Sequence, residues 1–525
     1  MKIEKISQSY LESIIDKEKI QNVSDTLDRL RTGQPPTPRS PLYSGIPENE
    51  VLNKWTEILA RKKSEFPNLI TYEESRISKF GPQGGYPPFK QRESSFFDYF
   101  GSPRDGSLDP DIYEMLVIKT RDLLFGDVKH QRPWSYERCV ETSLREGKLT
   151  TSSGLPSYGR RSDLAIWQRA IRDAYSGKWR DYPAVVGSRS QRGKDRFIFI
   201  FPFSANLVEQ SFVQPLMSII RSRNVSSFSA WEGFEDVEMA MHNQKFFDAK
   251  FLVSMDYTKM DQSCGPYIMK FVFDVISPVF QSQYHDLLRE SLNHTNLIPL
   301  MVQIDKMATG VHGLASGSGW TNFAESVYSQ AVRFFINESN PFHADQGLGD
   351  DGALSFQNLN NNSIADVISK CSASMALTAS EEKQRVDTNT LVYLQRFFDR
   401  AIKIKGTSVV AGCYPTVLAL NSAMFPERFH DPRKWSSGME ILRWIMILEN
   451  CNHSPLFNDL IEFIIEGDKF KLGLVLPGFF KRELVKLYAE AKEIPNFVPS
   501  YNQASIDRGI MDFEVVKYLM MRGKS

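Results

Sequence analysis

Little in this chain marks a secreted, metal-stapled or membrane-spanning protein. Five cysteines occur in 525 residues (Cys139, Cys264, Cys371, Cys413 and Cys451), scattered and with no CxxC pair. That usage argues against a zinc site or a disulfide framework and fits a reducing compartment. There is no run of 18 apolar residues, so no transmembrane helix is expected. The opening Met1-Lys2-Ile3-Glu4-Lys5 is mixed in charge and lacks the apolar core of a signal peptide. Neither sign of charge is in excess: Lys plus Arg is 63 and Asp plus Glu is 63, so net charge gives no hint of a nucleic-acid partner. Internal repeats are also missing. What remains is an ordinary globular composition, long enough for roughly three subdomains around a large core.

The average hides a local excess. Between Arg160 and Arg196 stand ten Lys or Arg against four Asp, a footprint suited to phosphates. Its tail, Arg189-Ser190-Gln191-Arg192-Gly193-Lys194-Asp195-Arg196, alternates cations into the strand-like Phe197–Phe201. Upstream, Thr151-Ser152-Ser153-Gly154-Leu155-Pro156 reads as a small-residue loop.

Coarse patterning orders the rest. Residues 1–31 read as short polar helices, with Ser24 able to cap the second. Thr32–Pro47 is a proline-rich connector, and Val51, Leu52, Trp55, Ile58 and Leu59 mark one apolar face of a helix. Gly81–Gly106 reads as an irregular stretch of Gly, Pro and aromatics. Phe251–Met255 is a short apolar run, expected as a buried strand, and it ends in Asp256-Tyr257-Thr258-Lys259-Met260-Asp261. Helical patterning begins at Pro266. The loop Gly313–Asn322, dense in Gly and Ser, enters a helix that Thr321 is expected to cap. Beyond residue 412 the chain reads mostly helical, with Ser454, Pro455 and Gly467 framing one helix.

The central stretch is Gly347-Leu348-Gly349-Asp350-Asp351-Gly352-Ala353-Leu354. Two adjacent acids lie between short apolar runs and are bracketed by turn glycines, which predicts a tight hairpin with both carboxylates at its tip. Such acids repel unless a cation sits between them. Asp-Gly is also a common surface turn, so the pair alone is weak evidence.

The order of the set is the stronger signal. A basic loop, Asp-x4-Asp after a strand, a Ser-Gly-x3-Thr loop before a helix and a Gly-Asp-Asp hairpin follow one another. The series resembles motifs F, A, B and C of the viral RNA-dependent RNA polymerases, best from Arg189 to Arg396. Within that group the chain looks most like the picobirnavirus enzymes, with the partitiviruses next. The resemblance implies an α+β right hand whose palm is an antiparallel sheet with helices. Its parts would be an N-terminal extension bridging fingertips and thumb (1–75), fingers (76–240), palm with motif A (241–265), a fingers insertion (266–308), palm with motifs B to E (309–411), and a thumb with a C-terminal segment (412–525).

It also implies roles. Asp256, Asp350 and Asp351 would hold two divalent ions, Mg2+ or Mn2+, since the ligands are hard oxygens. Lys383 would be the motif D lysine that protonates pyrophosphate. Arg189, Lys194 and Arg196 would lie over the triphosphate. Asp261 would take the ribose 2′-hydroxyl, and Ser316, Gly317 and Thr321 would handle the nascent pair. The family's usual Asn four residues past the motif B threonine is here Glu325, while Asn322 follows Thr321 directly, so either could share sugar selection. Ser153, Gly154, Leu155 and Pro156 would line the template entrance, and Gln395 and Arg396 the primer end. Expected partners are template and nascent RNA, nucleoside triphosphates and a viral capsid protein, with no membrane and a monomeric enzyme. The expected setting is the virion interior and host cytoplasm, and the expected genome segmented double-stranded RNA. Two readings compete. A reverse transcriptase uses the same palm but commonly has a bulky aromatic where Asp261 stands. A non-catalytic, capsid-associated RNA-binding protein would need basic patches but no convergence of acids.

Overall fold

In the computed structural model, which describes residues 1–359, 363–491 and 509–523, helices surround three sheets. The strands are β1 (Lys2–Lys5), β2 (Ala184–Gln191), β3 (Lys194–Ile200), β4 (Phe251–Asp256), β5 (Leu300–Gln303), β6 (Lys306–Thr309), β7 (Ala344–Leu348), β8 (Asp351–Phe356), β9 (Arg385–Asp387), β10 (Thr390–Tyr393), β11 (Arg396–Lys403) and β12 (Val410–Cys413).

The palm is the four-stranded sheet β7-β8-β4-β9, antiparallel throughout. The apolar Phe251–Met255 run is one of its two interior strands, with both edges paired. Helices Pro266–Ile276, Thr321–Ser339 and Ile364–Ser374 pack on this sheet and form one core with Val253, Met255 and Leu354. A buried ion pair sets the height of β7: Arg333 Nε lies 2.9 Å from Asp345 Oδ2, and Gln330 and Ser227 also bond that carboxylate. Removing one partner would leave a buried charge, a cost of about 3–5 kcal/mol.

The fingers are built on the five-stranded sheet β1-β6-β5-β2-β3. The basic loop of the sequence is in fact the end of the β2–β3 hairpin, turning at Arg192 and Gly193, with Arg189 opposite Arg196. Residues 266–308 contribute the β5–β6 hairpin to this sheet as well as two helices. The N-terminus departs from its polar-helix reading. Lys2–Lys5 is an edge strand on β6, Ser7 caps the first helix, and Ser24 lies inside the helix Ile20–Thr32. An exposed four-residue strand with no apolar face exists only through its pairing, which local pattern does not reveal.

Residues 1–75 split between two cores. Leu11 to Leu30 pack into the fingers, while Val51, Trp55, Leu59 and Leu69 pack with the thumb helices. The Gly81–Gly106 stretch is not wholly irregular: Phe89–Gly101 is a helix burying Phe96 and Tyr99. The third sheet, β10-β11-β12, leads into the helical thumb. There the helix framed by Ser454 and Gly467 runs Phe457–Gly467. Ser454 caps the turn before it, accepting from Leu456 N–H at 3.2 Å, and Gly467 is its last residue.

Candidate active site

Strand pairing brings the acids together. Asp256, at the end of β4, stands in register opposite Asp351, the first residue of β8. Gly349 and Asp350 make the two-residue turn from β7, and Gly349 has φ +58°, a left-handed conformation that glycine adopts without strain. The turn is tied down by Gly349 N–H donating to Ser326 Oγ at 2.8 Å. Gln384 clamps the other strand: its side chain accepts from Asp256 N–H at 3.3 Å and donates to Asp256 O at 2.9 Å.

Charge crowding follows. Burial, then repulsion from Asp350 and Asp256, pushes the Asp351 carboxyl up to about 7. Burial, then Asp261, raises Asp350, and Asp256 adds to it. Arg196 pulls both acids down, and Lys194 pulls on Asp351, so both cations lie within electrostatic reach of the acid cluster. Lys383 Nζ lies 3.6 Å from Asp256 Oδ2, with both side chains about half-exposed. Carboxylates crowded in this way fit a cation, which would relieve the repulsion. Among the described residues no group of three or more His, Cys, Asp or Glu side chains stands close enough to hold a metal ion by itself.

Beside the acids lies a second carboxyl pair. Glu325, on helix Thr321–Ser339, is fully buried, and burial and then Asp261 hold its carboxyl well above the usual range. The Glu325 and Asp261 side chains are within hydrogen-bonding reach of each other. Its Oε1 is buried without a partner. Asn322 is engaged elsewhere, accepting from Trp231 Nε1 at 2.7 Å. Of the two motif B candidates, Glu325 is the one that touches Asp261. Tyr99, from the fingers helix, feels Asp261, Glu325 and Arg196 and belongs to the same site. No spacing in the sequence pointed to Tyr99, because it comes from a stretch read as irregular.

Two cavities flank this centre. One, of about 750 Å³, opens on Asp256 and Asp351 and is lined by Arg76, Lys79, Lys383 and Arg385. The other, of about 920 Å³, runs between Thr151, Ser152, Arg161, the β2–β3 hairpin, Gly317 and the thumb residues Glu427–Phe429.

Residues 188–410 match the family described as viral RNA-dependent RNA polymerase. The matched segment takes in the acid-bearing sheet, the turn of the β2–β3 hairpin and the motif B loop. Along the chain, 28% of residues are identical over 496 residues to a potential RNA-dependent RNA polymerase of human picobirnavirus, covering 90% of this chain and 89% of that one. The crystal structure of the RNA-dependent RNA polymerase of a human picobirnavirus matches with a TM-score of 0.82 at 24% identity, over 99% of this chain and all of that one. An insertion-loop deletion mutant of such an enzyme matches at 0.81 and 23%, over the same shares. At these identities the likeness of the solved structures is one of fold. The polymerase right hand is thus the architecture of the chain, and the family uses divalent metal ions.

The remaining site residues expected from the sequence divide. Arg189 is not free for a triphosphate: its guanidinium makes a two-pronged pair with the thumb's Glu427, Nε–Oε1 at 2.5 Å and Nη2–Oε2 at 2.9 Å. Arg192 likewise bonds Gln395 and Tyr414, so the hairpin tip clasps the β10–β11 turn and the start of the thumb. Gln395 is therefore part of that clasp. Arg396 is corrected as an RNA contact: it is 2% exposed, donates to Gly412 O at 2.8 Å and Asn450 O at 3.1 Å, and stacks on Phe234. It opens β11, whose first four residues are all buried. The template loop is also shifted. Ser153, Gly154, Leu155 and Pro156 are buried, and it is Thr151 and Ser152 that line the groove. Gly317 lies against β3 so closely that a Cβ there would come within 1.8 Å of Phe199 O. Ser316 is half-buried in the same loop. Thr321 begins the helix instead of capping it, and its hydroxyl donates to Ser318 O at 3.0 Å.

Proposed function

We propose that this chain copies viral RNA by two-metal nucleotidyl transfer, from the genome of a segmented double-stranded RNA virus. The observation that carries the chemistry is the pairing of Asp256 with Asp351 beside Asp350, within electrostatic reach of Lys194, Arg196 and Lys383. Asp256, Asp350 and Asp351 would hold two Mg2+ or Mn2+ ions, which when bound activate the attacking 3′-hydroxyl and stabilise the leaving oxygen. The protein's own groups do the rest. Arg196 and Lys194 neutralise charge that builds on the phosphates in the transition state. Lys383 gives a proton to the departing pyrophosphate. Nucleotides reach the acids through the cavity lined by Arg76, Lys79 and Arg385, and template approaches through the groove at Thr151 and Ser152. Monomeric action inside a capsid, in the host cytoplasm and with a capsid protein as partner, is part of the same proposal and rests on the family resemblance. The test is RNA-templated incorporation of nucleoside triphosphates. Product complementary to the template is expected, lost with a chelator and restored by Mg2+ or Mn2+. Template binding without product would favour the non-catalytic reading.

Sugar choice gives a sharper prediction. Asp261 lies within hydrogen-bonding reach of Glu325 and keeps an acceptor for the ribose 2′-hydroxyl. A deoxynucleotide leaves that acceptor unpaired, which costs roughly 1–3 kcal/mol, or about ten- to a hundredfold. Asp261→Ala should narrow the ATP to dATP ratio of kcat/KM by that factor. Glu325→Ala should follow it, Glu325→Gln should retain most discrimination because an amide still donates, and Asn322→Ala should change the ratio less. An unchanged ratio in Asp261→Ala would place discrimination elsewhere.

A further inference from the structure

Glu209 lies on the helix Phe203–Ser222 and is fully buried, yet it belongs to none of the motifs described above. Its carboxylate gathers three donors. Oε1 accepts from Ser318 Oγ at 2.6 Å, and Oε2 accepts from Gly319 N–H at 2.6 Å and from Asn206 Nδ2 at 2.7 Å. Burial pushes its carboxyl up to about 7 despite those bonds. A buried carboxyl is costly to keep without such donors, and here two of the three are in the motif B loop.

Bonds continue in both directions. On one side, Asn206 also donates to Gly317 O at 3.1 Å and accepts from Arg161 Nη2 at 2.7 Å. Arg161 Nε then donates to Ser152 O at 2.9 Å. Ser152, Arg161 and Gly317 all line the template groove. On the other side, Ser318 O holds the Thr321 hydroxyl at the start of helix Thr321–Ser339. That helix carries Ser326, which accepts from Gly349 N–H in the acid-bearing turn. The motif B loop has three glycines, Gly313, Gly317 and Gly319, and few side chains with which to hold its own shape. Its register is set from outside, and Glu209 is the largest single anchor.

We infer that Glu209 is a positioning residue that couples occupancy of the template groove to the geometry of the nucleotide site, through the motif B loop. The inference rests on the polymerase reading and deepens it. RNA that displaces Ser152 or Gly317 strains the Arg161–Asn206–Glu209 links. The loop, and with it the start of the helix, must follow. Two sites joined by one two-ended element are reciprocally linked in binding.

The test uses the full chain, a short labelled template RNA and a complementary nucleotide analogue that cannot be cleaved at its α-phosphate. Template affinity is measured with and without the analogue, which gives a coupling factor. Base pairing contributes equally in every variant, so a difference between variants reports the protein link. Glu209→Gln keeps the shape but cannot satisfy all three donors. It should lower the coupling factor about tenfold, within the usual range for linked sites, and leave template affinity without the analogue nearly unchanged. Asn206→Ala and Ser318→Ala should each do the same. The double variant of these two should be no worse than either alone, because they sever one chain of contacts. Should Glu209→Gln lose its cooperative melting transition, that pair and its double variant decide the question. An unchanged coupling factor, or losses that multiply in the double variant, would overturn the inference and make Glu209 a packing residue. Because the readout is binding, it stands apart from any failure of the chain to catalyse.

Discussion

Asp350→Ala is expected to abolish RNA synthesis, lowering kcat by at least about a thousandfold, while the protein still melts cooperatively. Asp350 sits in the β7–β8 turn with its carboxyl raised by burial and by Asp261 and Asp256, so removing it relieves repulsion in the metal-free protein. Stability should hold or rise, and only the chemistry should fail. This combination separates a metal ligand from a structural acid, whose loss lowers both. Single-turnover incorporation at saturating nucleotide, run beside a melting curve, checks it. Substantial activity in a folded Asp350→Ala protein would sink the assignment.

Arg196→Ala carries the next largest effect. Four cations of the hairpin were available from sequence, and the structure divides them. Arg189 and Arg192 are spent on Glu427, Gln395 and Tyr414, whereas Lys194 and Arg196 act electrostatically on the acids. Arg196 acts on both Asp350 and Asp351, and Lys194 on Asp351. Losing Arg196 should cost about a hundred- to a thousandfold in kcat/KM for nucleotide, and losing Lys194 less. RNA affinity should move little in either. Arg189→Ala should instead loosen the fingertip–thumb clasp, lowering the melting temperature. A drop in RNA affinity alone in Arg196→Ala would make the hairpin a template contact.

What could be read from sequence follows from range. The palm was legible because its signals are local: an apolar run ending in Asp256, and glycines flanking Asp350 and Asp351. Each needs only a few neighbouring residues to specify its shape. The fingers were less legible. β1 and the β5–β6 hairpin exist through pairing with distant strands, and their short sequences carry no alternating face. Side-chain direction was the other limit. Arg396 sits in a recognisable motif, but the pairing of β11 with β10 and β12 turns it inward, onto the carbonyls of Gly412 and Asn450. Ser153–Pro156 were placed at the groove by composition, while packing against Phe201 and Pro202 buried them and left Ser152 at the surface. The choice between Asn322 and Glu325 needed two contacts from outside motif B, Trp231 on one and Asp261 on the other. Glu209 had no signal at all. In sequence it is one acid on a mostly apolar helix.

Central to the account is that Asp256, Asp350 and Asp351 hold the ions of catalysis. The most direct measurement is an anomalous difference map from crystals of this protein soaked with Mn2+ and a non-cleavable nucleotide triphosphate. Two peaks are predicted among these three carboxylates, with the triphosphate reaching toward Lys194 and Arg196. Nucleotide density with no peak at Asp256 and Asp350, or manganese bound only elsewhere, would contradict it.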